Sequence, residues 1–327
     1  MIIRTPSRLH ITLIDLNGSI GRMDGGVGLT VQKPELILHA KFKARGIEIT
    51  FENENDQELI KEYREKIENS ANKMLKFLKI NSGIKFHVKS MYPAHSGLGS
   101  GTQISLAVGK LILKLHGHDL SAPEIAKLVG RGGTSGIGVM AFDHGGFIMD
   151  GGHSLDEKPD FLPSSASRAS PAPLIARYDF PEDWKIIMAI PNIPAGASGP
   201  KEVNIFQKYC PVSLSEVQKL SHILLMKMMP SIVEQDIESF GYAVNEIQDT
   251  GFKKIELELQ DPLANKIIER MKSAGAAGVG MSSFGPTIYA VTDNNAQEIA
   301  SAAHEVMKEV GGQVIITKAQ NRGAIIE

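Results

Sequence analysis

What this chain lacks narrows its class before any motif is read. It has 1 cysteine, Cys210, so no disulfide can close within it. That fits a reducing compartment, and the thiol reads as a buried or inert group rather than a nucleophile. Charge of one sign is missing too: Lys and Arg total 35, Asp and Glu 37, and the formal net charge is -2. Nucleic acid calls for a positive surface, so it is not an expected partner. No apolar run approaches the roughly 20 residues that span a bilayer, and a membrane partner is not expected either. The opening MIIRTPSRLH turns charged too soon for a signal peptide, so a cytoplasmic location is expected. His144 and His153 bracket the glycine-rich FIMDGG, but no partner stands at metal-ligand spacing, and zinc is not expected. Internal repeats and low-complexity tracts are also missing.

What is present is ordinary globular material. The 327 residues are 42% hydrophobic and 22% charged, enough for two domains of roughly 150 residues each. Ile60, Tyr63, Ile67, Ala71, Met74 and Leu78 recur at helical steps. Ile84, Phe86 and Val88 alternate with Lys85, His87 and Lys89, as in a half-buried strand. A turn-rich stretch, MYPAHSGLGSGTQ, leads to a helix carrying Ile104, Val108, Leu111 and Leu115. Residues 156–173 are rich in proline, serine and alanine and read as a linker or a long crossing loop. The spacing places the domains at 1–160 and 161–327. Beyond the linker, KIIMAI at 185–190 reads as a buried strand. Ser213 with Glu216 forms a capping box, and Asp261-Pro262 opens a further helix. Between them Val233, Ile237, Phe240, Val244 and Ile247 form one face, with Met226, Met228 and Met229 as core filler. Strands are expected at Ile288–Val291 and Val314–Thr317. The fold class is α+β, as two sandwiches side by side.

The loop Pro93–Gln103 carries the chemistry. Gly97, Gly99 and Gly101 remove side chains where backbone approaches a ligand, and Ser100 and Thr102 add hydroxyls. The next helix begins with unpaired amides and a dipole aimed at the loop. Together these make a site for a phosphate or diphosphate. No Gly-Lys-Ser/Thr follows, so this is not a Walker A loop, and the glycine spacing is wrong for a dinucleotide fingerprint. His95, inside the loop, either contacts the same anion or caps the strand end, and Gln103 is expected among the loop's binding residues. On a strand, Arg8 and His10 share one face. Asp15 and Asn17 either contact substrate or metal, or build the turn at Asn17-Gly18.

Pro93, Gly97–Ser100 and the following helix resemble the phosphate loop of the GHMP kinase superfamily. Thr5–Gly18 and Gly275–Val291 resemble its first and last motifs. The resemblance implies a two-domain fold: an N-terminal ribosomal S5-like sandwich and a C-terminal ferredoxin-like one. Many of these kinases carry an aspartate where Gly133–Ile137 is here followed by Gly138. Glycine cannot take a proton or orient a hydroxyl.

A second resemblance is closer. SRLHITLIDLNGSIGRMDGGVGL, GLGSGTQ, GRGGTSGIGVMAFDHGGFIMDGG, FLPSSAS, PAPLIARYDFPEDW and SSFGPT together resemble the beta-ribofuranosylaminobenzene 5'-phosphate synthase family. That family has the kinase fold but is not a kinase. The resemblance implies condensation of 4-aminobenzoate with phosphoribosyl pyrophosphate, releasing carbon dioxide and pyrophosphate, on the way to methanopterin. Mg²⁺ is the expected cofactor, on the diphosphate; its ligands are unassigned. A carboxylate near the ribosyl cation is expected from Asp15, Asp24 or Asp143, and a cation for the aminobenzoate from Arg8, Arg22 or Lys201. A homodimer is expected, as for many such proteins. The alternatives are an ATP-dependent small-molecule kinase and a non-catalytic sensor of a phosphorylated metabolite.

Overall fold

The computed structural model describes every residue except Glu54, Ala94, His95, Ala195 and Ser198. The expectation for His95 therefore lies outside the described residues.

The first sheet is built on a long antiparallel pair, β1 (Ile2–Asp15) with β2 (Arg22–Lys43). β3 (Ile47–Phe51) leads into α1 (Gln57–Leu78), whose start Asp56 caps by accepting from the Leu59 amide at 2.9 Å. The helical face read from sequence is the buried one: Ile60, Tyr63, Ile67, Ala71 and Met74 all lie in the core. β4 (Gly83–Ser90) then lies between β2 and β3, and the glycine loop delivers the chain to α2 (Ser100–Leu115). α3 (Ala122–Val129), α4 (Ile137–Asp143), β5 (Phe147–Asp150) and β6 (His153–Ser154) follow.

The proline-rich stretch after β6 is not a bare tether. It crosses over the first unit and feeds β7 (Leu174–Tyr178), which pairs with β5. The first sheet thus runs past the expected boundary at 160/161. Its reach to Tyr178 is explained by pairing, because β5 offers β7 an open edge.

The second unit starts with β8 (Lys185–Pro191). Next come α5 (Pro200–Tyr209), α6 (Leu214–Ile223), a π turn (Leu224–Met228), α7 (Met229–Glu234), α8 (Ile237–Gln248), α9 (Gly251–Glu258) and α10 (Pro262–Ser273). β9 (Gly278–Met281), β10 (Ile288–Thr292), α11 (Ala296–Met307) and β11 (Gly312–Lys318) complete it. The sheet order is β11-β8-β10-β9, with every pair antiparallel. That is the ferredoxin-like arrangement. Finally β12 (Ile325–Ile326) returns to pair with β1.

Two inward assignments are corrected. Val233 is 64% exposed and Met226 67% exposed. The expected continuous face breaks at Gln235, which takes a left-handed conformation before Asp236 caps α8. The π turn also rotates its residues out of the 3.6-residue period, so only Met228 of that pair faces inward. The units share one apolar core, in which Leu9, Ile11, Val27 and Leu29 of the first meet Trp184, Ile186, Phe240 and Val244 of the second.

Candidate functional site

β1 supplies the floor of the site, the glycine loop one wall and the C-terminal Ser282–Thr287 segment the other. Arg8 donates from Nη1 to the Gly97 carbonyl at 2.5 Å, and its amide donates to the Leu98 carbonyl at 3.2 Å. Ser282 Oγ donates to the same Gly97 carbonyl at 2.9 Å and accepts from the His10 amide at 3.0 Å. Ser283 N donates to the His10 carbonyl at 2.9 Å, and Thr287 Oγ1 to the Ser96 carbonyl at 2.5 Å. So the first, second and last sequence motifs converge on one place.

The three loop glycines have different reasons. Gly97 has φ +74, and a Cβ there would lie 2.5 Å from the Ser282 carbonyl oxygen. Its bareness lets two protein segments meet, rather than admitting a ligand. Gly99 caps α2 in a left-handed conformation, φ 83, with no side chain to cover the helix start. Gly101 is open: a Cβ would stand 3.4 Å from Arg131 Nη2 and from Lys66 Nζ. Two cations thus flank the uncapped amides of the first turn of α2. The dipole and both charges favour an anion at that point. Arg131 is half-buried, and burial lowers its pKa while Glu62 pulls it back up. Lys66 is also paired with Glu62. Thr102 packs its methyl against Gly138, whose Cβ would approach it to 3.2 Å, and Gln103 Nε2 donates to the Gly138 carbonyl at 2.7 Å. Gln103 is therefore a brace between α2 and α4, fully buried. Ser100 stays half-exposed at the helix start.

The carboxylates expected from sequence are placed otherwise. Asp15 Oδ1 accepts from the amides of Asn17 (2.7 Å) and Gly18 (2.9 Å), and Asn17 Nδ2 donates to the Val212 carbonyl at 2.7 Å. Both residues build the turn and tie it to the second unit. Asp24 is sealed in. It accepts from Lys158 Nζ at 2.9 Å on both oxygens and from His153 Nδ1 at 2.6 Å. Only 1% exposed and with both oxygens already bonded, it is closed off from solvent. Asp143 lies at the far end of α4, exposed beside His144 at 3.7 Å. Arg22 is spent on the Gly151 and Gly152 carbonyls. Lys201 stands on α5, at the rim of a separate pocket.

Sequence reasoning named Arg8 and His10 but missed several groups packed around them. Glu256 of α9 is buried and ion-paired with Lys253, which donates to the Met281 and Ser283 carbonyls at 3.3 and 3.2 Å. Burial raises the Glu256 pKa, against the pull of Lys253 and Arg8. Neighbouring Glu202 is pushed up to about 7 by burial and then by Glu256. Arg8 is lowered to about 10 by burial, with Tyr92 and Glu256 opposing. On the other side, His10 Nε2 lies 3.1 Å from Ser135 Oγ, which points at Asp150 Oδ2. Burial pushes Asp150 up to about 6, although the Gly152, Gly136 and Gly26 amides hold it down. His10 is held neutral by burial and by Arg8 and Lys253, and its Nδ1 is buried with no partner among the described residues. Lys66 has no motif around it on α1 to mark it out. Arg131 sits within the GRGGTSG string but carried no spacing signal of its own.

Among the described residues no group of three or more His, Cys, Asp or Glu could hold a metal. No helix among them is long and apolar enough to cross a membrane.

Comparison with known proteins fits this geometry. Residues 59–146 match the GHMP kinases N terminal domain and 228–309 the GHMP kinases C terminal domain. The mevalonate kinase of L. major superposes with a TM-score of 0.72 at 14% identity, covering 98% of this chain and 96% of that one. Beta-ribofuranosylphenol 5'-phosphate synthase of Methanothermobacter thermautotrophicus is 58% identical over 100% of this chain and 98% of its own. The protein of the same name from Archaeoglobus fulgidus is 50% identical over 99% of each. With the glycine loop, the two GHMP kinase domains and full-length likeness all in agreement, the chain belongs to the beta-ribofuranosylphenol 5'-phosphate synthase family of enzymes.

Proposed function

We propose that the enzyme transfers the phosphoribosyl group of phosphoribosyl pyrophosphate to the ring of a para-substituted benzoate, with loss of carbon dioxide, in the pathway to methanopterin. The observation that carries this reading is the uncapped start of α2 between Lys66 and Arg131. It suits a donor bearing both a phosphate and a diphosphate. The related synthases are named for a ribofuranosylphenol phosphate, which favours 4-hydroxybenzoate as acceptor. 4-Aminobenzoate is the second reading, because an amino group donates electrons to the ring equally well.

In this reaction the bond from ribose C1 to the diphosphate oxygen breaks, and pyrophosphate leaves with the electron pair. The ring carbon bearing the carboxylate forms the new bond to C1. The carboxylate then departs as carbon dioxide, its bonding pair restoring the ring. The para substituent carries the transient positive charge, so no further electron sink is needed. Mg²⁺ would arrive on the diphosphate, where a hard cation neutralises the leaving group. Lys66 and Arg131 would hold the phosphates, Arg8 would fix the loop through Gly97, and Glu256, buried near Arg8 and paired with Lys253, would be the carboxylate offered to the developing positive charge.

The kinase alternative is disfavoured by Gly138, which a Cβ would crowd against Thr102. The test is product mass. Incubation with phosphoribosyl pyrophosphate, Mg²⁺ and each acid in turn should yield a ribosylated phenol or aminobenzene phosphate, with one pyrophosphate per product. A phosphorylated acceptor formed only with ATP would replace this reading with the kinase one.

A further inference from the structure

Between α5 and α9 lies a pocket of about 490 Å³ that neither the loop motifs nor the family match accounts for. Its wall is apolar and partly aromatic: Phe284, Ile205, Tyr209 and Leu259. Lys201 stands exposed on its rim, and Glu256 closes its inner side. One short segment links its wall to the phosphate loop. Phe284 lines the pocket, Ser283 accepts from the Lys253 that holds Glu256, and Ser282 bonds Gly97 of the loop.

We propose that this pocket is the subsite for the aromatic acid, its ring against Phe284 and Ile205 and its negative charge matched by Lys201. The inference rests on the phosphoribosyl-transfer reading and deepens it. A flat ring gains from an apolar slot roughly in proportion to the area it buries. Lys201, at an exposed helix start, has the reach to meet a carboxylate or phenolate. Glu256, paired with Lys253, closes the inner side of the slot, so the acid's charge lies toward Lys201 at the rim. Gln260 supports the same wall by donating to the Phe284 carbonyl and accepting from the Asp261 amide at 3.0 Å. The Phe284 ring is itself packed edge-on against Phe252 at 6.0 Å.

The test uses two exposed positions, so that folding is not at issue. Leu259, 45% exposed, becomes tryptophan to fill the slot (L259W), and Lys201 becomes glutamine (K201Q). Steady-state kinetics with 4-hydroxybenzoate and 4-aminobenzoate give separate KM values for acid and donor. Each variant should raise the KM for the acid by about tenfold, the order expected for one charged contact or one blocked ring face. The KM for phosphoribosyl pyrophosphate should stay within about twofold, and thermal midpoints should match the wild type. An unchanged acid KM in both variants, with an active wild type, overturns the pocket and leaves the phosphoribosyl-transfer reading standing. A wild type that turns over neither acid removes that reading and this inference with it.

Discussion

At the residue scale, the glycines of the loop make the sharpest distinction. Gly97→Ala places a methyl 2.5 Å from the Ser282 carbonyl at a positive φ. A loss of about 2 kcal/mol of stability or more is expected, read by denaturant unfolding. Gly101→Ala meets nothing closer than 3.4 Å and lies in a helix, where alanine is favoured by about 1 kcal/mol. Its stability should hold or rise, while the KM for the phosphorylated donor increases because the methyl sits between Lys66 and Arg131. Equal stability losses in both variants would contradict the division of roles. The sequence made both glycines look alike, because spacing cannot tell a protein contact from a ligand contact.

Asp24 teaches the same lesson. A polar aspartate in the first motif reads as catalytic, but its two cationic partners, His153 and Lys158, come from more than a hundred residues away. His153 donates from Nδ1 to Asp24 and from Nε2 to the Ser170 carbonyl at 2.9 Å. Both partners accept, so the arrangement favours a proton on each nitrogen, and the charged ring. Burial alone would lower its pKa, but the bonds to Asp24 and Ser170 outweigh it and raise it above 6.5. A raised folded pKa stabilises fully below the unfolded value and is lost as pH rises through the folded one. The stability gap between wild type and His153→Gln should therefore be widest below pH 6.5 and narrow above it, as read from thermal midpoints across pH. A gap independent of pH would mean a neutral ring. Asp24→Asn leaves Lys158 and His153 buried without a counter-charge, and a loss of about 3 kcal/mol is expected.

At the scale of elements, legibility followed length and periodicity. α1, α2, β4 and β8 lie where their patterns put them, since each has a clear buried face. The short helices α4, α5 and α9 carried little periodic signal. Yet α5 and α9 hold Glu202, Lys201 and Glu256, and α4 holds Gly138. The site was therefore half legible: its motifs could be read, but the elements that complete it could not. The α2 start depends on charges from two other places, Lys66 on α1 and Arg131 after α3. Arg131→Gln should raise the donor KM about tenfold and weaken inhibition by pyrophosphate to a similar degree, with little change in acid KM. Unchanged donor kinetics would move the phosphate elsewhere.

At the scale of the whole molecule, two domains were expected and two sheets are present. The first sheet extends past the boundary expected from composition, because pairing of β7 with β5 across a crossing loop leaves no mark there. The first unit keeps β7, and the tail returns through β12 to β1. The shared core also argues against independent folding. Trp184, the chain's single tryptophan, packs edge-on to Phe180 at 5.1 Å in the cluster that joins both sheets. Tryptophan fluorescence and far-ultraviolet circular dichroism should thus report one coincident unfolding transition. Two separated transitions would show that the interface contributes little.

The most direct measurement follows the carboxyl carbon of the acceptor. Carboxyl-labelled 4-hydroxybenzoate or 4-aminobenzoate is incubated with Mg²⁺ and either phosphoribosyl pyrophosphate or ATP. This account predicts labelled carbon dioxide with the ribosyl donor alone, and its loss in step with donor binding in Arg131→Gln. Retention of the label with the ribosyl donor, for both acids, would contradict it.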